Sequence, residues 1–143
     1  MRVLVLGGGY AGLSLVRRLE SRLPDDVDLT LVDDTGSHLV LHEVHRVVRR
    51  PAIADIITVP LEDLLNRTDL VCARVESVDR EERTVALGTG EDLRYDFLAV
   101  CLGSETADYG IPGVADHGIP LKSVADAERI REAFLDLGDG DRI

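Results

Sequence analysis

Several residue types are scarce in this 143-residue chain, and each scarcity excludes a class of function. There is no Trp, and only three Tyr and two Phe, so the chain offers no aromatic platform for stacking the bases of a single-stranded nucleic acid. Lysine occurs once, at Lys122, and acidic residues outnumber basic ones by 27 to 16, which gives a formal net charge of −11. An acidic surface repels phosphate backbones, so we expect no nucleic-acid partner.

Cysteine and long apolar runs are also scarce. Cys72 and Cys101 stand in apolar runs without zinc-binding or C-x-x-C spacing, which predicts two buried thiols in a reducing compartment and no metal site. No apolar run approaches the roughly 20 residues that cross a bilayer, and residues 1–6 are typical of a strand rather than a signal peptide. We expect a cytoplasmic protein, and leave open a peripheral position on the inner membrane face.

The apolar residues that are present, 45% of the chain with Tyr and Cys included, predict alternating strands and helices. A buried strand at 3–6, a helix at 10–23 and a strand at 29–32 make one βαβ unit. The remaining expected elements are irregular or helical chain at 37–66 with a short helix at 61–66, a strand at 70–75, an antiparallel meander over 75–95, a buried parallel strand at 97–102, and a helix at 123–137 that starts with a capping box formed by Ser123 and Asp126.

A glycine motif lies between the first strand and the first helix. The residues Gly7, Gly8, Gly9, Tyr10, Ala11 and Gly12 spell G-x-G-x-x-G, and Asp33 follows Gly12 by 21 residues at the end of the next strand. In this context the motif indicates a dinucleotide site, with pyrophosphate at the helix N-terminus and ribose hydroxyls on the acidic side chain. The alternative is a tight turn in another α/β fold. Asp33 and Asp34 would repel a 2′-phosphate, which favours FAD or NAD over NADP.

Motifs along the whole chain carry a family resemblance. The glycine motif, the two acids after the second strand, the stretch 95–104 and Ile111-Pro112-Gly113 resemble the FAD-binding domain of the pyridine-nucleotide-disulfide oxidoreductase superfamily. Within it, the stretch 38–45 with Pro51 and residues 59–61 is most similar to type II NADH dehydrogenases. The resemblance implies an α/β Rossmann-like FAD/NAD(P)-binding domain, a parallel sheet with helices and a small antiparallel β-meander.

The resemblance also implies a function. Members of the family transfer hydride from NADH to FAD and pass electrons on to quinone or another acceptor, so FAD is the expected cofactor, NADH the co-substrate and quinone a partner. Cofactor contacts would come from the glycine motif, Asp33 and Asp34, with main chain at Val75 near the adenine and Gly103 near the pyrophosphate or flavin. For Val75, an ordinary core position is the equal alternative. No side chain is an obvious acid, base or nucleophile.

The same resemblance implies that the chain is part of a longer protein. We expect residues 1–140 to form the FAD-binding domain and residues 141–143 to begin a second dinucleotide-binding domain that holds NADH. The 143 residues alone would then be inactive, with an exposed edge that could drive self-association. The alternatives are an NAD-dependent dehydrogenase domain with Gly7, Gly9, Gly12 and Asp33 binding NAD, and a non-catalytic nucleotide-binding or interaction module.

Two further features are the spacing of three histidines and the acidic composition. His38, His42 and His45 could share one helical face, but the spacing is one residue short of H-E-x-x-H, which favours a flavin-side or solvated cluster over a metal site. The composition, with 17 Asp and 10 Glu against 15 Arg and one Lys, resembles that of haloarchaeal proteins and suggests a salty cytoplasm.

Overall fold

A computed structural model describes residues 1–137 of the chain. The strands are β1 Arg2–Leu6, β2 Asp28–Asp33, β3 Ser37–Leu39, β4 Thr58–Pro60, β5 Asp69–Cys72, β6 Val75–Asp79, β7 Thr84–Leu87, β8 Asp92–Arg94 and β9 Phe97–Val100. The α-helices are α1 Tyr10–Arg22, α2 His45–Arg49, α3 Ala54–Ile57, α4 Val114–His117 and α5 Val124–Leu135. Single turns of 3-10 helix cover Leu41–Glu43, Pro51–Ile53 and Leu61–Leu64.

The chain divides into two compact units. The first combines Met1–His38 with Pro60–Gly103, and the second combines Leu39–Val59 with residues 104–137. The expectation of one FAD-binding domain over residues 1–140 stays a prediction. The second domain expected to begin at 141–143 lies outside the described residues.

The first unit is built on a parallel sheet with the strand order β5-β2-β1-β9. Strand β1 pairs with β2 on one side, where Val5 is in register with Leu31. On the other side it pairs with β9, where Val5 is in register with Ala99. The strands β6, β7 and β8 form a separate antiparallel meander. The predicted fold class, a parallel sheet with helices and a β-meander, is therefore confirmed.

Successive side chains of β1 point to opposite faces of the sheet, and both faces are buried. Leu4 and Leu6 pack with Val85 and Leu87 of the meander, whereas Val5 packs against Val16 of α1. Because side chains of a strand point to opposite faces in turn, one apolar strand serves two layers, and this explains its continuous hydrophobic run. The sheet is thus covered by a helix on one side and by the meander on the other.

The strand β9 is parallel, as predicted, but the expectation that it is buried is wrong. It ends at Val100 rather than at residue 102, and Phe97 and Val100 are 61% and 62% exposed. Within residues 1–137 the sheet ends at β9, so this strand has a neighbour on one side alone. Its register is fixed at the start by Asp96, whose carboxylate accepts a hydrogen bond of 2.7 Å from the Arg2 amide.

Three other expectations need correction. Residues 37–66 contain the short strands β3 and β4 as well as helical turns. The strand predicted at 70–75 ends at Cys72, because Ala73 and Arg74 leave the ladder before Val75 starts β6. The thiols are not buried: Cys72 is exposed and Cys101 is partly exposed, since Cys72 closes an edge strand and Cys101 follows one.

The second unit has its own apolar core. Val44, Val47 and Ile57 pack with Ala127 of α5, and the Arg131 guanidinium donates to the Val48 carbonyl at 3.0 Å. The predicted start of this helix is confirmed: the Ser123 hydroxyl accepts from the Asp126 amide, while the Asp126 carboxylate accepts from the Ser123 amide, each at 3.0 Å. Within residues 1–137, no helix combines the length and apolarity that a bilayer crossing requires.

A carboxylate on α1 organises the chain that leads into β5. Glu20 Oε1 accepts from the amides of Asn66, Arg67 and Thr68 and from the Thr68 hydroxyl, at 2.8 to 3.1 Å. The Arg67 guanidinium then donates to the carbonyls of Leu23 and Val27 at 3.1 and 3.0 Å. Together these polar contacts connect α1, β2 and β5 in addition to the apolar packing between them. Partial burial raises the pKa of Glu20, but the hydrogen bonds outweigh it and lower the pKa to about 2.

We expect Glu20→Gln to destabilise the protein at neutral pH by about 1–2 kcal/mol, because the variant loses charge-assisted hydrogen bonds. A carboxyl whose folded pKa lies near 2, against an ordinary value of 4.5, stabilises fully above pH 4.5 and loses that contribution as the pH falls toward 2. The difference from the wild type in urea unfolding should therefore shrink over this range. Glu82→Gln, in the exposed turn after β6, is the charge-matched control; a pH-independent difference for Glu20→Gln would contradict the assignment.

Candidate functional site

The turn after β1 requires glycine at two positions for reasons of packing. Gly7 has φ +97° and donates to the Val32 carbonyl at 2.7 Å, and a Cβ there would lie 2.4 Å from the Cys101 carbonyl oxygen. A Cβ on Gly12 would lie 1.8 Å from the Gly7 carbonyl oxygen. The turn and the first turn of α1 therefore pack too closely for any side chain, as the glycine motif predicts.

Gly9 differs from the other two glycines of the motif. A Cβ at this position would meet nothing within 4 Å, and its φ of −69° is open to any residue. Gly9 is the N-cap of α1, and its carbonyl accepts the first helical hydrogen bond, from Leu13, at 2.9 Å. The N–H groups of Gly9 and Ala11 precede that bond and have no acceptor within the helix. The first turn of α1 contains no acidic residue, so this end can receive an anion.

Asp33 connects the end of β2 to the glycine turn. Its Oδ2 accepts from the Gly8 amide at 2.7 Å, and its Oδ1 accepts from the amides of Thr35 and Gly36 and from the Thr35 hydroxyl, at 2.7 to 3.0 Å. Partial burial raises the pKa of Asp33, but these hydrogen bonds outweigh it, so the pKa lies below its usual value. The carboxylate is ionised at neutral pH. Its Oδ2 accepts from the Gly8 amide alone among these donors, so it can accept a second hydrogen bond.

The other predicted site residues have different surroundings. Asp34 is exposed beside Asp33, and Gly103 follows β9 with φ +77° and open space around it. The glycine motif, the two acids and Gly103 thus follow β1, β2 and β9 and share the carboxyl edge of the parallel sheet, where ligands of open α/β sheets bind. Val75 lies instead at the start of the meander, half-buried, and is linked to this edge through Ala73, whose amide donates to the Asp33 carbonyl at 3.0 Å.

The three histidines do not share one helical face, the arrangement that a metal site would have needed. His38 is buried in β3, His42 lies in a 3-10 turn and His45 begins α2. The Arg46 guanidinium of α2 forms an ion pair with Glu43 of the preceding 3-10 turn. Within residues 1–137, no group of three or more His, Cys, Asp or Glu side chains is arranged to hold a metal ion. Sequence reasoning missed the position of His38, whose ring contacts the glycine turn; its place four residues after Asp34 was the available signal.

Comparisons with known proteins agree with this geometry. Residues 1–142 match the family described as pyridine nucleotide-disulphide oxidoreductase. The type II NADH:quinone oxidoreductases of Staphylococcus saprophyticus and Staphylococcus haemolyticus are 29% and 30% identical to the chain over 138 residues. That alignment covers 94% of this chain and 34% of either relative, so the chain spans about a third of their length.

Solved structures show the same fold. The sulfide:quinone oxidoreductase of Aquifex aeolicus aligns with a TM-score of 0.85 at 21% identity, over 97% of this chain and 32% of that one. NDH2 of Plasmodium falciparum in complex with NADH aligns with a TM-score of 0.81 at 19% identity, over 94% of this chain and 29% of that one. At these identities the likeness concerns the fold alone.

The free energy of unfolding should distinguish Gly12, which the packing of the turn requires, from Gly9, which it does not. We expect Gly12→Ala to destabilise the protein by more than about 3 kcal/mol, because the new Cβ meets main chain that can move only by opening the turn. Gly9→Ala should change the free energy of unfolding by less than about 1 kcal/mol, because the space is open and φ is unstrained. Urea unfolding of both variants without ligand checks this. Equal stability of the two variants would contradict the packing argument.

Proposed function

Because this chain belongs to the pyridine nucleotide-disulphide oxidoreductase family, we propose that it forms the FAD-binding part of an enzyme that oxidises NADH and reduces quinone. The observation that carries the proposal is the cradle at Gly9, the N-cap of α1: a Cβ on Gly9 would meet nothing within 4 Å, and the first turn of the helix has no carboxylate. A cofactor pyrophosphate fits this cradle because main-chain N–H groups and the helix dipole favour negative charge there.

Each predicted residue has a role in this proposal. The glycine motif, Gly7, Gly8, Gly9, Tyr10, Ala11 and Gly12, would hold the pyrophosphate. Asp33 Oδ2 would accept a ribose hydroxyl beside the Gly8 amide, and Asp34 would add negative charge that disfavours a 2′-phosphate. Main chain at Val75 would border the adenine, and Gly103 would border the pyrophosphate or the flavin. The bound flavin would supply the redox chemistry, taking hydride from NADH and passing electrons to the acceptor.

The choice of FAD over NAD has support of its own. An NAD domain would continue after β2 with further strand-helix units, whereas here the meander β6 to β8 lies between the parallel strands β5 and β9. The relatives named as NADH:quinone oxidoreductases are about three times longer than this chain, so NADH and quinone sites would be formed by the rest of such a protein. We propose a cytoplasmic enzyme, peripheral on the inner membrane face.

We expect the purified chain to bind FAD with the visible absorbance and quenched fluorescence of bound flavin, and Gly9→Ala to weaken that binding at least tenfold by occupying the cradle. A fluorescence titration with FAD, followed by a calorimetric titration with NAD, makes the comparison. A colourless chain that binds NAD and not FAD would establish the dehydrogenase alternative instead. The isolated chain should show no NADH–quinone turnover, and measurable turnover would contradict the need for further chain.

Salt should stabilise this protein. All of the −11 net charge lies beyond residue 50, because the first 50 residues carry seven Arg and seven acids. The excess acidic side chains repel one another, and salt screens this repulsion. We therefore expect the melting temperature to rise by several degrees when KCl increases from about 0.1 M to about 2 M. Sodium perchlorate at equal ionic strength separates screening from salting-out, since it screens charge but is not excluded from the protein surface as salting-out salts are. An unchanged or falling melting temperature in KCl would contradict a salt-adapted surface.

A further inference from the structure

His38 is a buried histidine that the proposed cofactor contacts do not include. Its side chain is 7% exposed, and its Nδ1 lies 3.0 Å from the carbonyl oxygen of Gly8 in the glycine turn. Its ring also contacts Tyr10 at the start of α1 in an edge-to-face arrangement, with ring centroids 4.8 Å apart and an interplanar angle of 88°. A carbonyl oxygen can only accept, so Nδ1 carries the proton in this contact.

Gly8 is therefore held on both sides by side chains. The Asp33 carboxylate accepts from its N–H at 2.7 Å, and His38 donates to its C=O at 3.0 Å. These two contacts fix the two peptide planes that meet at the Gly8 Cα. A glycine would otherwise rotate freely here, since no Cβ restricts its backbone.

The contact with the carbonyl also sets the direction of the next N–H. The Gly8 carbonyl and the Gly9 N–H belong to one peptide unit, and all described peptide bonds are trans, so the two groups point in opposite directions. A carbonyl turned toward His38 therefore turns the Gly9 N–H away from it. Gly9 is the N-cap of α1, and a Cβ on it would meet nothing within 4 Å.

We propose that His38 is a positioning residue for the cofactor: its Nδ1–H holds the Gly8 carbonyl and so presents the Gly9 N–H to the pyrophosphate of FAD. This inference rests on the proposed function, because it takes FAD as the ligand. It assigns His38 no contact with FAD and no part in electron transfer. Its effect is preorganisation, because a turn fixed before binding loses less entropy when the anion arrives.

Two variants separate this role from simple packing. His38→Asn keeps an N–H donor near the position of Nδ1 but loses volume, whereas His38→Leu keeps volume but loses the donor. We expect the dissociation constant for FAD to rise about fivefold to tenfold for His38→Leu, the effect of one hydrogen bond, and less than about twofold for His38→Asn. His45→Ala, which removes an exposed histidine of the second unit bonded to the His42 carbonyl, is the control. The affinity for FAD could instead follow side-chain volume, so that His38→Leu binds like the wild type and His38→Asn binds more weakly. That result would show the proposal to be wrong.

A second measurement does not depend on FAD. In the ligand-free chain, 15N spectroscopy of the imidazole should show the Nδ1–H tautomer at His38. The Gly9 amide resonance should shift more in His38→Leu than in His38→Asn, since both variants lose the ring current of the imidazole but only His38→Leu loses the donor. An Nε2–H tautomer, with Nδ1 unprotonated, would overturn the proposal whatever the affinity for FAD. A wild-type chain that fails to bind FAD but shows the Nδ1–H tautomer and the Gly9 shift would overturn the proposed function and leave support for the role of His38 in the turn.

Discussion

The candidate site depends on one ionised carboxylate, that of Asp33. It stands at the end of β2, and it joins that strand to the glycine turn after β1 through the Gly8 amide and to the chain after β2 through Thr35 and Gly36. Its hydrogen bonds lower its pKa despite partial burial, so the connection persists through the neutral range. The parallel pairing of β1 with β2 brings these parts close, and the carboxylate sets their fine positions.

A second carboxylate, Glu20, does the same at the opposite end of α1. It gathers the amides of residues 66–68 and so orients β5 beside β2, while Arg67 donates to carbonyls between α1 and β2. The first unit is thus stabilised by apolar packing between its layers and by two carboxylates at the places where strands and helix meet. Such a division suits an Asp-rich chain, because carboxylates bonded to main-chain amides remain charged without a cationic partner.

Local patterns allowed much of this structure to be predicted. The glycine turn, α1 and the capping box of α5 depend on neighbouring residues, and each of them lies where the sequence pattern predicts it. The exposure of β9 could not be predicted, because burial of Phe97 and Val100 depends on what lies beside and above an edge strand. His38 was missed because β3 has three residues, too few for a period, and because its contact with Gly8 joins residues 30 positions apart.

The glycines at the three marked positions of the motif, Gly7, Gly9 and Gly12, do not carry equal information about function. Gly7 and Gly12 are required by the turn itself, since a Cβ at either would meet main chain, and any fold with so close a turn would need them. Gly9 is not required in this way: its φ is ordinary and its surroundings are open. A glycine that the fold does not need, at the N-terminus of a helix whose first turn has no acidic residue, favours a ligand that must approach the main chain. Gly9, rather than the motif as a whole, is therefore the residue that points to a cofactor.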